Sequence, residues 1–195
     1  MKTSKIDAQG RWLRSDAAAS YRRMRAAGMP TGGIVTAGRT YAEQKALYDA
    51  YRAGKGNLAA RPGSSLHESG LAMDITRRTA AQIWAVLGSD PMKVKTGEKI
   101  RARDFGWRRT VPSEAWHLSY TPSLDKYAKG LPQLRFGSRD KHFVPALQRK
   151  LGIKNTTTTF GPKTRSLLKA WQKAHMLTAD GVCGDKTWAA LGFPA

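Results

Sequence analysis

A histidine and an aspartate seven residues apart, His67 and Asp74 in the run SSLHESGLAMD, constrain this chain more than any other feature. If both hold one tetrahedral metal ion through bonds of about 2.1 Å, their donor atoms must approach to roughly 3.4 Å. Seven residues of helix rise about 10 Å, and seven of strand about 23 Å. Neither brings the two side chains together, so the segment must turn back on itself. The SGL run, with Gly70 free to take positive φ, permits that turn. LAMDI then alternates as a strand does, with Leu71, Met73 and Ile75 on one face and Ala72 and Asp74 on the other.

A second island, EAWHLSY, places Glu114 three residues before His117. Read as a strand, it puts His117 and Ser119 on one face and Trp116, Leu118 and Tyr120 on the other. Two histidines, an aspartate and a glutamate complete the parts of a catalytic zinc site: three protein ligands, an open position for water and a general base.

The two islands together, S-x-H-x-x-G-x-A-x-D and then E-x-W-H, resemble the signature of the zinc D-alanyl-D-alanine carboxypeptidase and L-alanyl-D-glutamate peptidase family. That family includes vancomycin-resistance peptidases and many bacteriophage endolysins. The matching positions are Ser65, His67, Gly70, Ala72 and Asp74, then Glu114, Trp116 and His117. The resemblance implies one Zn²⁺ per chain held by His67, Asp74 and His117, with Glu114 as the general base that later protonates the leaving amine. TAGRTYAEQKALY resembles the family's S-G-x-R-[ST] segment, which implies that Arg39 faces substrate and stabilises the charge developing on the attacked carbonyl. Ser65 and Trp116 are further candidates for substrate contact. FGW, residues 105–107, also fits the family pattern.

Before these islands, Ser15 or Asp16 is positioned to cap a helix through AAASYRRMRAAG, with Tyr21 and Met24 on its apolar side and arginines facing out. GGIVTAG reads as a short strand. Thr40 caps a helix, YAEQKALYDAYRAG, whose expected buried positions are Tyr41, Ala42, Leu47, Tyr48 and Tyr51. TAAQIWAVLGSDP reads as a further helix, packed through Ile83, Trp84 and Leu87. Phe105 and Trp107 are expected beneath the sheet, and Asp104 is a candidate to orient a metal-bound histidine.

Past Tyr120 the composition changes, and TPSLDKYAKGLPQ is a Pro- and Gly-punctuated junction. An internal repeat follows: ALQRK at Ala146 aligns with AWQKA at Ala170, and FGPKT at Phe160 with CGDKT at Cys183. Each unit is a turn with Gly, a Thr cap and a helix, too small to bury a core alone. Helices are expected over 143–151, 164–174 and 187–191. This tail resembles the peptidoglycan-binding domain of many lytic enzymes at Gly137, Leu147, Gln148, Phe160, Gly161, Thr164, Asp180, Gly181, Gly184, Thr187 and Trp188. It departs from that pattern at Cys183, read here as a small core hydrophobe, and at the run Asn155 to Thr159, which lacks the usual acidic-glycine turn. His142 and His175 have no partners at ligand spacing and are read as structural or surface residues.

The expected fold is α+β: an antiparallel-sheet zinc peptidase domain over 1–124, a linker over 125–134 and a small three-helix peptidoglycan-binding domain over 135–195. The chain carries 34 Lys+Arg against 14 Asp+Glu, a net charge of +20. That charge is spread along the chain and no common nucleic-acid motif occurs, so bacterial peptidoglycan and anionic wall polymers are the expected partners, not nucleic acid. The opening MKTSKIDAQGRWLRSD has no apolar run fit for a signal peptide or membrane span. The expectation is a monomer made in the host bacterial cytoplasm, acting on the wall after release as an endolysin that cuts the L-Ala–D-Glu bond of stem peptides. The alternatives are a D-alanyl-D-alanine carboxypeptidase or endopeptidase, and a wall-binding protein without catalysis.

Overall fold

A computed structural model describes residues 1–29, 33–76, 92–93, 99–100, 102–114 and 116–194. Strands β1 (Thr3–Lys5) and β2 (Trp12–Arg14) form an antiparallel hairpin that runs straight into helix α1 (Ser15–Ala26). Strand β3 (Ile34–Thr36), helix α2 (Tyr41–Arg52) and strand β4 (Ala72–Ile75) follow. A small paired ladder, β5 (Met92–Lys93) with β6 (Lys99–Ile100), precedes β7 (Phe105–Arg108) and the long β8 (His117–Asp125). Four strands make the central antiparallel sheet, in the order β3-β4-β8-β7. The helix expected around Ile83, Trp84 and Leu87 lies outside the described residues.

One face of the sheet is closed by α1. Met73, Ile75, Phe105, Trp107 and Leu118 are buried there with Leu13, Tyr21 and Met24. Ser20 donates to the Phe105 carbonyl, tying helix to sheet. Arg23, expected on the outside, is 4% exposed and pairs with Asp125 at 2.9 Å, which also accepts from the Tyr120 hydroxyl at 3.0 Å and from Tyr127 N at 2.9 Å. An arginine enters this core because the carboxylate at the end of β8 meets its charge. The cap of α1 also differs from expectation. Its N-cap is Arg14 with no side-chain bond, because β2 leads into the helix without a turn. Ser15 instead bonds Ser4, and Asp16 binds Arg14. In FGW, Gly106 has φ +80°, and a Cβ there would sit 2.6 Å from the Tyr120 ring. The motif is a bulge on which Tyr120 lies.

Thr40 caps α2 with the reciprocal Glu43 bond, as its sequence position demands. The apolar stripe of α2 is not buried, however. Tyr41, Ala42, Leu47 and Tyr51 are exposed and Tyr48 is half-buried, while Gln44 is 1% exposed. Gln44 accepts from Arg39 and donates to the Ala60 carbonyl, so the helix is seated on a polar contact with the following loop.

Beyond β8 lie α3 (Phe143–Lys150), α4 (Pro162–Ala174) and α5 (Asp185–Ala190). The last two begin before Thr164 and Thr187, and their N-caps are Gly161 and Gly184. Both threonine hydroxyls serve buried glutamines instead. Gln148 Nε2 donates to Thr164 Oγ1 at 3.0 Å and to the Thr159 carbonyl, while its Oε1 accepts from Thr157 N. Gln172 repeats the pattern with Thr187 Oγ1 at 3.3 Å, the Val182 carbonyl and Gly181 N. In the first repeat Thr157 Oγ1 takes the place that Asp180 holds in the second, which is why the turn closes without an acidic residue. Cys183 is buried, and burial pushes its thiol pKa up.

The segment 125–134 is held at both ends, by the Arg23–Asp125 pair and by an antiparallel bridge between Leu134 and Cys183. Asp104 does not approach the candidate metal ligands. It binds His142 Nε2 at 2.8 Å, Lys126 Nζ at 2.6 Å and Lys141 Nζ at 2.8 Å, and so fastens the sheet unit to the helical unit. Phe105 and Tyr127 pack against the same histidine, and Phe143 packs on both of those rings. Arg149 adds a bond to the Ala27 carbonyl at 2.8 Å.

Candidate metal centre

Adjacent antiparallel strands bring two of the predicted ligands together. In the register of β4 and β8, Asp74 lies opposite His117 and Ala72 opposite Ser119, so Asp74, His117 and Ser119 share one sheet face. His117 Nδ1 lies 3.0 Å from Asp74 Oδ1. Thr36, on β3, donates to Asp74 Oδ2 at 2.8 Å.

His67 arrives from a loop, as the spacing required. The Glu68 carboxylate binds the amides of Gly63 and Ser65, and Ser65 Oγ accepts from His67 N at 3.3 Å. Gly70, at φ +64°, reverses the chain; a Cβ there would lie 2.4 Å from Arg14 N. His67 Nε2 thereby reaches 3.4 Å from Asp74 Oδ2. Ligand atoms of His67, Asp74 and His117 all lie within 4.8 Å of one another. Both histidines are buried and Asp74 is half-buried.

Each imidazole is held by its second nitrogen. His67 Nδ1 lies 2.6 Å from the Ala37 carbonyl oxygen, which only accepts, so Nδ1 carries a proton and Nε2 is the nitrogen turned toward Asp74. His117 Nε2 lies 3.1 Å from Ser119 Oγ, itself 2.6 Å from Thr110 Oγ1. A serine hydroxyl can donate or accept, so it supports whichever tautomer leaves Nδ1 free for a cation. Burial pushes the Asp74 carboxyl up, but the hydrogen bonds from His117 and His67, the His67 charge and the Thr36 hydroxyl outweigh it, and the net direction is strongly down. Two imidazole nitrogens and one carboxylate thus converge on a space that a cation could occupy in place of those hydrogen bonds. The donor set, two nitrogens and one oxygen at these separations, fits Zn²⁺ with a position left open.

Glu114 sits on the turn into β8, half-buried, with Oε2 3.8 Å from His117 Nδ1. Arg39 is tied to the centre through its backbone, donating to the His67 carbonyl at 3.0 Å, while its guanidinium holds Gln44 at 2.6 Å. Ser65 shapes the His67 loop. Trp116 is half-buried and its carbonyl accepts from Ile75 N, so it belongs to the strand edge beside the centre. The residues that sequence reasoning did not single out are Thr36, Ala37, Gln44 and Thr110. Ala37 acts through a main-chain carbonyl and leaves no side-chain signal at all.

Among solved structures, the chain is similar to the LD-carboxypeptidase LdcB, at 24% identity over 65% of this chain and 68% of that one, TM-score 0.45. It is also similar to a vancomycin-resistance D,D-pentapeptidase VanY solved with Zn(II), at 17% identity over 66% and 84%, TM-score 0.45. A third is DacB from Streptococcus pneumoniae, at 24% identity over 60% and 69%, TM-score 0.40. No curated protein matches the chain. Residues 143–191 match the model of a putative peptidoglycan binding domain, the span occupied by α3 to α5. Residues 10–123, which contain all of the central sheet but the end of β8 and every member of the centre, match the D-alanyl-D-alanine carboxypeptidase (VanY) model, and the chain belongs to that family of peptidoglycan-acting peptidases.

Proposed function

We propose that this chain is a zinc-dependent peptidase of bacterial wall stem peptides, of endolysin type, hydrolysing the L-Ala–D-Glu bond. The observation that carries the metal-dependent reading is the fixed His67 tautomer. With Nδ1 committed to the Ala37 carbonyl, Nε2 is the nitrogen left to face Asp74 at 3.4 Å, and with His117 it completes a group of ligand atoms within 4.8 Å of one another that could hold a cation. His67 Nε2, Asp74 and His117 Nδ1 would hold the ion. Zinc, when bound, supplies a Lewis acid that polarises the scissile carbonyl and lowers the pKa of a water to near 7. Glu114, placed over His117, takes the proton from the attacking water and returns it to the leaving amine. Arg39, released from Gln44 toward substrate, stabilises the oxyanion. No serine or cysteine nucleophile is required, so no covalent intermediate forms.

The helical unit holds the enzyme on peptidoglycan, and the +20 charge adds attraction to anionic wall polymers. Pairing a wall anchor with a peptidase supports cleavage close to the glycan and a lytic role after release from the cell that makes it. The family's description favours a second reading, removal of a terminal D-alanine. Incubation with defined stem peptides, with and without chelator, separates the two by mass spectrometry. Chelator-sensitive, zinc-restored release of a peptide beginning with D-Glu supports the first, and free D-alanine the second. Wall binding without cleavage overturns both.

A further inference from the structure

A cavity of about 320 Å³ opens between the 125–134 segment and the last helix, away from the metal centre. Leu131, Trp188, Ala189 and Phe193 form its apolar wall, and Lys129 and Asp185 line it as well. The wall is preformed. Trp188 Nε1 is pinned to the Pro132 carbonyl at 2.8 Å, and its ring packs on Phe193 at 4.6 Å between centroids. Lys129 and Asp185 are both exposed, and neither makes an ion pair with the other or with any other described residue. A volume near 300 Å³ is at the small end of ligand pockets.

One cation and one anion, each without an ion-pair partner among the described residues, at the mouth of an apolar cavity favour a zwitterionic ligand. A neutral sugar would leave both charges without a counterpart, and a polyphosphate would be repelled by Asp185. An α-amino-acid head satisfies both at once, carboxylate to Lys129 and ammonium to Asp185, while a methylene arm behind it meets Leu131, Ala189 and the edges of Trp188 and Phe193. Given the wall-peptide function proposed above, we infer that this cavity binds the free α-amino-acid end of a diamino-acid residue in the stem peptide. The C-terminal unit therefore recognises peptide, not glycan.

The test uses the full zinc-loaded chain carrying Glu114→Ala, so that bound peptide is not cut. Calorimetry compares the tripeptide L-Ala-γ-D-Glu-meso-diaminopimelate, its lysine counterpart (which lacks the far carboxylate) and an N-acetylglucosamine tetramer. The diaminopimelate peptide should bind about tenfold more tightly than the lysine peptide, and the tetramer should not compete. Lys129→Ala should erase the preference between the two peptides. Ala189→Trp, at an exposed position, should fill the cavity and abolish the cavity's binding with folding intact by circular dichroism. Equal affinity for both peptides, competition by the tetramer, or undiminished binding in a folded Ala189→Trp variant overturns the inference. Failure of the wild-type chain to sediment with purified peptidoglycan would instead overturn the wall-binding function, and this inference with it.

Discussion

The carbonyl oxygen of Ala37 lies 2.6 Å from Nδ1 of His67, and that single main-chain contact selects which nitrogen of the ring faces Asp74. A similar division of labour holds at His117, where Ser119 occupies Nε2 and Nδ1 faces the carboxylate. Both rings are therefore set before any ion arrives.

Removing a ligand should empty the centre. His67→Ala and Asp74→Ala are expected to fall from one zinc per chain to almost none by elemental analysis. Glu114→Ala should keep its zinc while losing about 10²- to 10⁴-fold in turnover. Full activity with zinc retained in any of the three would refute the site.

Ser119→Ala leaves His117 Nε2 without its hydroxyl partner in a buried position. Zinc affinity, measured by competition with a chromophoric chelator, should fall by about 10- to 100-fold. Unchanged affinity would mean that the strand alone orients the ring.

Arg39→Ala should lower kcat by about 10²- to 10³-fold with KM much less affected, the mark of a group that acts on developing charge. Gln44→Ala frees the guanidinium and also removes a buried bond to the Ala60 carbonyl, so its first effect should be on the stability of the α2 region.

Much of this centre was legible before folding. The seven-residue interval from His67 to Asp74 demanded a turn, and the alternation around His117 placed Ser119 on its face; both are seen. What failed were inferences about which surface an element meets. The stripe Tyr41, Leu47, Tyr51 has helical periodicity, yet periodicity names a face without naming a neighbour, and the sheet was already covered by α1. Asp104, a candidate to orient a metal-bound histidine, shows the same limit: its partner is His142, 38 residues away in another unit. Thr164 and Thr187 carry the residue type of a cap, but buried glutamines compete for their hydroxyls.

Acid should loosen the contact between the two units. Burial alone would raise the Asp104 carboxyl, but His142, Lys126 and Lys141 outweigh it, and its pKa is held well below the ordinary value. A depressed carboxylate contributes stability above its unfolded pKa of about 3.9 and loses it as pH falls toward the folded value. Stability measured by urea titration should be insensitive to this group above about pH 5 and decline below about pH 4. Asp104→Asn should flatten that decline; an unaltered acid limb would assign it elsewhere.

Gln172→Ala strips three buried or half-buried partners at once, Thr187, the Val182 carbonyl and Gly181 N. The helical unit should lose about 2–4 kcal/mol of stability in denaturant titration. Gln148→Ala should act alike, and a near-neutral result in both would mean that water replaces the clasp.

The Asp104 fastening, with Arg149 on Ala27, also determines how the enzyme can use its anchor. A loose leash of n residues would let a cleft sweep a neighbourhood of roughly 5–6 Å times the square root of n around each grip. A bracket permits no sweep. If the helical unit grips the wall as proposed, the metal centre meets it at a set offset from that grip, so every new cut requires letting go. For such a molecule, an anchor that held more tightly would cut fewer bonds, not more.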